Sequence, residues 1–139
     1  MLRFKIVNKE FRYFDHPYNK TKTNERAIEI PIGLWFCNYF KGNLIEVGNV
    51  IGSYFLQIIH PVIDLYECGP MVKNLNASLL IDEYKDKNVL SISTIEHFGR
   101  HPMAQTGQYE DAKVAIRFMD AIKNNATNWL ITTPVGDNL

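Results

Sequence analysis

Short apolar runs that end at a glycine, a proline or a polar residue alternate along this chain with segments of helical periodicity. The clearest runs are Leu44-Ile45-Glu46-Val47, Val62-Ile63-Asp64-Leu65, residues 88–93 and residues 129–133. Strands that are buried on both faces have this continuous apolar character, and their alternation with helices is typical of a parallel sheet. The sequence therefore predicts an α/β fold.

Two segments between these runs have the periodicity of helices. In the first, apolar residues recur with helical spacing from Glu25, Asn24 is a candidate N-cap, and Lys41-Gly42-Asn43 ends the segment. Pro31 predicts either a kink in this helix or the first turn of a second piece. Residues 109–124 form the second and more regular helix, with one apolar stripe opposite its charges.

The first 24 residues differ in pattern from the remainder. Residues 2–14 alternate large apolar and charged side chains, which predicts two short strands or a hairpin, and a polar loop follows. With 139 residues, the chain has the length of one common domain of ~100–150 residues. We therefore expect a single domain over residues 1–139, with an N-terminal extension over 1–24 and the α/β core over 25–139.

The balance of charge bears on partners and compartment. Fifteen Lys and Arg residues face 15 Asp and Glu residues, so the chain lacks the basic surplus of a dedicated nucleic-acid binder. The N-terminus has no apolar signal core, and no stretch approaches the ~18 apolar residues of a membrane span. Cys37 and Cys68 match no metal or redox spacing. We expect a cytoplasmic protein with neither a nucleic-acid nor a membrane partner.

The run at 44–47 delivers Glu46 and then Gly48 to the carboxyl end of a strand. Ligands of open α/β sheets bind at this edge, where the strand order reverses. Gly48 allows a sharp turn with no Cβ toward a ligand, and Gly52 allows the next helix to pack closely. A turn glycine after a core strand is the simpler interpretation of the same pattern.

Acidic residues at the end of the next strand add to this pattern. A nucleoside site needs an acid about 20 residues after the glycine turn to bind the ribose hydroxyls. Asp64 lies at the end of that strand and Glu67 follows one turn later, and a solvated loop acid is the alternative for either. Together with the glycine turn, they favour nucleoside binding.

Four segments follow one another along the chain: Asn24-Glu25-Arg26-Ala27-Ile28-Glu29-Ile30-Pro31, Glu46-Val47-Gly48-Asn49-Val50, Asp64-Leu65-Tyr66-Glu67 and Ser91-Ile92-Ser93-Thr94-Ile95-Glu96-His97-Phe98-Gly99. In this order they resemble class I S-adenosylmethionine-dependent methyltransferases. The resemblance is closest to bacterial members that carry the first segment, spans about residues 16–138, and implies a Rossmann-like, mostly parallel sheet with flanking helices.

The resemblance implies S-adenosylmethionine as cofactor. Its methionine part would contact Glu46, Gly48 and Asn49, and its ribose would contact Asp64 or, failing that, Glu67. The adenine would contact Asn76, while Ser93 and Thr94 would lie beside the cofactor. The cofactor residues expected are Glu46, Gly48, Asn49, Gly52, Asp64, Glu67, Asn76, Ser93 and Thr94.

Methyl transfer also needs an aligned acceptor and, for some acceptors, a base. Glu96 and His97 follow the fourth strand of the core, and an imidazole exchanges protons near neutral pH. A structural histidine at the strand end is the alternative. By resemblance, Tyr18, Asn24 and Arg26 would line the pocket of a small-molecule acceptor such as a sugar or a polysaccharide precursor, and a solvated helix-start charge is the alternative for Arg26.

Other functions are less well supported. His16, His60 and His101 form no spaced set with carboxylates, so we expect no metal site. An NAD-dependent reductase would need a three-glycine turn that this chain lacks.

The main competing class is a methyltransferase-like interaction domain without catalysis. Its support lies at the C-terminus, because family sheets continue past the last strand with an antiparallel pair. The chain ends at Leu139, soon after Thr133, so we expect that pair to be lacking. The last strand would then be an edge, and edges of this kind favour pairing with a second copy in a homodimer.

Overall fold

The computed structural model describes residues 2–19, 24–55, 57–99 and 113–134. Part of the helix predicted over 109–124 and His101 lie outside these ranges. No helix within them is long and apolar enough to cross a membrane. The strands are β1 Arg3–Ile6, β2 Lys9–Arg12, β3 Leu44–Val47, β4 Val62–Ile63, β5 Val72–Lys73, β6 Asn88–Ile92 and β7 Asn128–Thr132. The helices are α1 Arg26–Tyr39, α2 Ile51–Tyr54 and α3 Lys113–Asn125.

Strands β3 to β7 form one parallel sheet in the spatial order β5-β4-β3-β6-β7. Alternate residues of β6 face opposite layers: Val89 packs in the cluster that contains Phe118 of α3, and Leu90 packs in the cluster that contains Ile30 of α1. The sheet is therefore covered by helices on both faces, which is why its central strands β3 and β6 are mostly apolar. The predicted α/β class is confirmed.

The strand order reverses at β3. The chain runs outward from β3 through β4 to β5, then returns to place β6 and β7 on the other side of β3. Strands β4 and β6 are shorter than predicted, since Asp64 and Ser93 lie just beyond their ends. Both residues therefore belong to the loops at the carboxyl edge of the sheet.

The predicted N-terminal hairpin is present as a separate two-stranded antiparallel sheet of β1 and β2, with Arg3 opposite Arg12. It packs on α1, where the Phe11 ring lies edge-on to Trp35 at 6.5 Å between centroids. Lys9 Nζ lies 4.6 Å from the centre of the Trp35 ring. The hairpin is thus fixed through an aromatic and cation–π contact.

Helix α1 runs through Pro31 without a break, so the alternative of two helical pieces is wrong. A proline has no N–H, so the carbonyl of Ala27 lacks its usual partner in the helix. The backbone N–H of Phe14 donates to that carbonyl at 2.9 Å. At the helix start, Asn24 Oδ1 accepts from Arg26 N at 2.6 Å. The N-cap position is Glu25, one residue after the predicted Asn24, and Glu25 makes no side-chain cap hydrogen bond.

Candidate functional site

A cavity of about 580 Å³ opens at the carboxyl edge of the sheet, where the strand order reverses. Nine of the predicted residues line it: Arg26, Gly48, Asn49, Asp64, Glu67, Asn76, Ser93, Thr94 and His97. The other five do not, namely Tyr18, Asn24, Glu46, Gly52 and Glu96. Topology brings eight of the nine together, because they follow parallel strands that end at the same edge, and Arg26 joins them from the start of α1.

Gly48 closes the tip of β3 against the neighbouring strands. Its φ is +86°, and a Cβ there would lie 2.0 Å from Thr94 Oγ1, a distance no side chain tolerates. Its N–H donates to Ile63 O of β4 at 2.8 Å. The glycine therefore lets the ends of β3, β4 and β6 meet at the cavity wall.

Glu46 lies behind the cavity. It is fully buried; its Oε1 accepts from Val50 N at 3.1 Å and from Ile51 N at 2.8 Å, while Oε2 lies 2.7 Å from His60 Nε2. Its carboxylate holds the loop that follows Gly48, and direct contact with a ligand stays a prediction. His60 was not among the predicted residues, although it closely precedes Val62, the strand partner of Glu46.

Asp64 and Glu67 hold the opposite side of the same loop. Asp64 Oδ2 accepts from Asn49 N, and its Oδ1 accepts from Tyr66 N and Glu67 N, all at 2.9 Å. Asn49 Nδ2 donates to Glu67 Oε2 at 3.2 Å. Gly52 makes room for this arrangement, because a Cβ there would lie 2.3 Å from Asn49 Oδ1. Most of the acceptor capacity of Asp64 is thus used by the backbone, whereas Glu67 is exposed and retains its own.

Part of the cavity lining is apolar. It includes Leu65, Leu75 and Phe98, and Leu65 and Leu75 are exposed to solvent. Asn76 follows Leu75 in the lining, and its Oδ1 accepts from Ser78 N at 3.1 Å and Ser78 Oγ at 2.8 Å. The Asn76 Nδ2 is therefore the end of the side chain that can donate to a ligand.

A polar group of lining residues, called the polar end of the cavity here, comprises Arg26, Ser93, Thr94 and His97. It involves a residue, Glu29, that was not among the predicted ones. Ser93 has a φ of +39° and is buried, and its Oγ donates to Glu29 Oε1 at 2.7 Å. Arg26 Nη1 donates to Glu29 Oε2 at 2.6 Å. Glu29 could have been suspected because it lies between Ala27 and Ile30, whose side chains are buried, and a carboxylate there needs partners.

Glu96 and His97 take different positions. The His97 side chain is 66% exposed and lines the cavity, whereas the Glu96 side chain is 12% exposed and does not line it. Burial raises the pKa of Glu96 above its ordinary value; Glu29 also raises it, while His97 and Arg26 lower it. The nearest approach between the two side chains is 3.8 Å, from His97 Nε2 to Glu96 Oε1. His97 is thus the member of the pair that can reach a ligand.

Of the three residues predicted for an acceptor pocket, only Arg26 reaches the cavity. Asn24 supports the start of α1, and its Nδ2 donates to Asn19 O at 3.2 Å. Tyr18 packs edge-on to Tyr54 at 5.4 Å between centroids, and Tyr54 Oη donates to Asn19 Oδ1 at 2.7 Å. These side chains form a second layer beside Arg26.

Comparison with protein-family models, with curated proteins and with solved structures found no match for this chain. Within the ranges that the structure describes, no group of three or more His, Cys, Asp or Glu side chains is placed to hold a metal ion. What the cavity binds must therefore follow from its own walls.

Proposed function

We propose that this chain is a class I methyltransferase that uses S-adenosylmethionine and acts on a small-molecule acceptor. The supporting observation is the cavity at the strand-order reversal, with Gly48 at one strand end and two carboxylates after the next. Its volume of about 580 Å³ lies within the range of ~300–1,000 Å³ that is usual for small-ligand sites.

The order of the strands supports a Rossmann-like architecture. Numbered from β3, the five parallel strands have the order 3-2-1-4-5, which matches the corresponding part of the doubly wound order. In that architecture a nucleotide lies across the ends of the first and fourth strands, here β3 and β6. The cavity occupies this place.

The walls of the cavity suit the parts of this cofactor. The glycine loop and Thr94 would surround its methionine part, and Glu67, with Asp64 shaping the loop, would accept from its ribose hydroxyls. Leu65, Leu75 and the Asn76 amide would face its base. When bound, the cofactor supplies a methyl group on a positively charged sulfur.

His97 and Arg26 lie at the polar end of the cavity, where an acceptor would bind. In-line transfer needs the acceptor atom to be held in line with the methyl group, and a hydroxyl acceptor also needs to lose a proton. His97 would take that proton at Nε2 or Nδ1. The chain's contribution is therefore alignment and proton removal.

Binding of S-adenosylhomocysteine, the demethylated product, tests the proposal. At 100 times its Kd, a ligand that binds only the folded state adds ~2.7 kcal/mol to the free energy of unfolding. We expect a corresponding rise in melting temperature. A folded sample whose melting temperature does not change at millimolar ligand would contradict the proposal.

Two variants locate the ribose contact. Glu67→Gln should weaken S-adenosylhomocysteine binding about tenfold without changing the melting temperature of the free protein, since its contacts are exposed. Asp64→Asn should lower both the affinity for S-adenosylhomocysteine and the melting temperature of the free protein, because backbone N–H groups lose an acceptor. Glu83→Gln, an exposed acid outside the cavity, is the matched control and should change neither.

The sheet edge favours a second candidate, a methyltransferase-like interaction domain that holds no cofactor. Among the described strands, β7 has a neighbour on one side only, and Trp129 on it is 48% exposed. The same melting experiment separates the candidates, since an interaction domain would not respond to S-adenosylhomocysteine.

A further inference from the structure

We propose that Glu29 sets the charge selectivity of the polar end of the cavity, so that it accepts a neutral polar acceptor and rejects anionic ones such as phosphorylated or carboxylated molecules. That an acceptor binds here rests on the proposed methyl transfer, whereas the rejection of anions by Glu29 is a property of the cavity itself.

Without Glu29, this end of the cavity would attract anions. Arg26 lines it, and a guanidinium is the side chain best suited to carboxylate and phosphate groups. Arg26 is also the first residue of α1, where the helix dipole adds partial positive charge. Both sources of positive charge lie at the same wall.

Glu29 offsets both sources from within the protein. Its carboxylate is 2.6 Å from Arg26 Nη1, lies in the first turn of α1, and belongs to a residue that is 5% exposed. A charge-assisted hydrogen bond of this length, away from water, is much stronger than an exposed ion pair. The charge of Arg26 is therefore already neutralised by the Glu29 carboxylate.

Ser93 holds the second oxygen of the Glu29 carboxylate. Its buried Oγ donates to Glu29 Oε1 at 2.7 Å, while Oε2 accepts from Arg26, so each carboxylate oxygen has its own partner. An incoming anion would have to take Arg26 from Glu29, and the Glu29 charge would then be buried without its cation. Leaving that carboxylate without its cation would be costly.

The other acidic side chains of the cavity also disfavour anions. Asp64 and Glu67 line it, and Glu96 Oε1 lies 3.8 Å from His97 Nε2. His97 is the other basic side chain among the described lining residues. A hydroxylated or amine-bearing acceptor carries no negative charge for these carboxylates to repel and can exchange hydrogen bonds with His97 and Thr94.

Inorganic phosphate is the probe, with binding measured by calorimetry and by melting temperature. We expect no binding to the wild type at millimolar phosphate and at least about tenfold tighter binding to Glu29→Gln, in which the charge of Arg26 is released. The double variant Arg26→Gln/Glu29→Gln should lose the gain. Folded Glu29→Gln that binds phosphate no better than the wild type would overturn the proposal.

Two matched variants separate charge from structure. Glu25→Gln removes an exposed acid from the same helix start, and Ser93→Ala removes the hydrogen bond but keeps the carboxylate charge. Neither should bind phosphate. A gain of phosphate binding in Ser93→Ala equal to that in Glu29→Gln would show that loosening of the wall, and not its charge, controls anion entry.

The wild type provides a test if Glu29→Gln does not fold. The side-chain Nε–Hε resonance of Arg26 should not move with millimolar phosphate, and a saturable shift would overturn the proposal. S-adenosylhomocysteine binding is measured on the same samples. Absence of that binding, with phosphate selectivity as expected, would refute the methyltransferase proposal and leave the charge assignment standing.

Discussion

At the scale of single residues, Gly48 combines a left-handed backbone conformation with a close contact in the cavity wall. Gly48→Ala forces an L side chain to a φ of +86° and places its Cβ 2.0 Å from Thr94 Oγ1. We expect a loss of about 3 kcal/mol in the free energy of unfolding, the sum of a left-handed backbone cost and an overpacking cost. Urea denaturation measures it.

Gly42→Ala is the matched control for this prediction. Gly42 also has a positive φ, +96°, but a Cβ there meets nothing within 4 Å. Gly42→Ala should therefore lower the free energy of unfolding by the backbone cost alone, about 1 kcal/mol. Equal losses in the two variants would show that the contact with Thr94 contributes nothing.

Glu96 predicts a pH dependence of stability. Burial raises its pKa above the ordinary value of 4.5, so the folded state holds its proton more tightly than the unfolded state. Ionisation of the buried carboxyl lowers the free energy of unfolding. This loss is absent below pH 4.5, grows as pH rises through the raised pKa, and is complete above it. The free energy of unfolding of Glu96→Gln should therefore increase relative to that of the wild type as pH rises through this window. A difference that stays constant across the window would contradict burial as the cause of the raised pKa.

The sequence could predict most of the polar residues that line the cavity, but not which contacts each of them makes. Gly48, Asp64 and Thr94 follow apolar runs, and the ends of parallel strands converge whatever the details of packing. The partners of Glu29 and Glu46 could not be predicted, because each carboxylate meets a side chain from another element. The Glu29 bond to Ser93 depends on how α1 lies over the end of β6, which no local pattern records.

At the scale of elements, Pro31 connects the N-terminal segment to α1. In Pro31→Ala the new N–H competes with Phe14 N for the Ala27 carbonyl. We expect amide exchange at Phe14 to accelerate about fivefold, the effect of weakening one hydrogen bond of ~1 kcal/mol. Asn19 N, which donates to His16 O, is the control amide and should be unaffected. Unchanged exchange at Phe14 would contradict this role of Pro31.

The types of the elements followed from the sequence, whereas several of their bounds did not. The strand predicted at 44–47 occurs there, and the helix predicted from Glu25 begins at Arg26, because the apolar spacing of both segments is clear. The predicted strand at 62–65 is reduced to Val62–Ile63. Asp64 N still donates to Lys73 O at 3.2 Å, but the Asp64 carboxylate then caps the turn at Tyr66 and Glu67. The sequence predicts no element type for residues 71–81, because a two-residue strand and 3₁₀ turns leave no periodic signal.

At the scale of the whole molecule, the edge strand β7 predicts association. We propose a homodimer in which two copies of β7 pair, since an edge with an exposed Trp129 favours such pairing. Light scattering should give twice the chain mass of 16.1 kDa. Trp129→Lys should yield a monomer, because a lysine on an edge strand opposes pairing. A monomeric wild type would contradict the proposal.

The pairing of β3 also has a consequence for how quickly the molecule folds. Leu44 lies opposite Asn88, so the central pair of the sheet forms only after the chain closes a loop over the whole of residues 45–87. The entropy of that closure must be lost before the pairing returns any energy, and parallel sheets of this kind fold slowly. The rate of refolding should therefore be limited by the pairing of β3 with β6. The cavity, whose walls follow both strands, is completed only after that step.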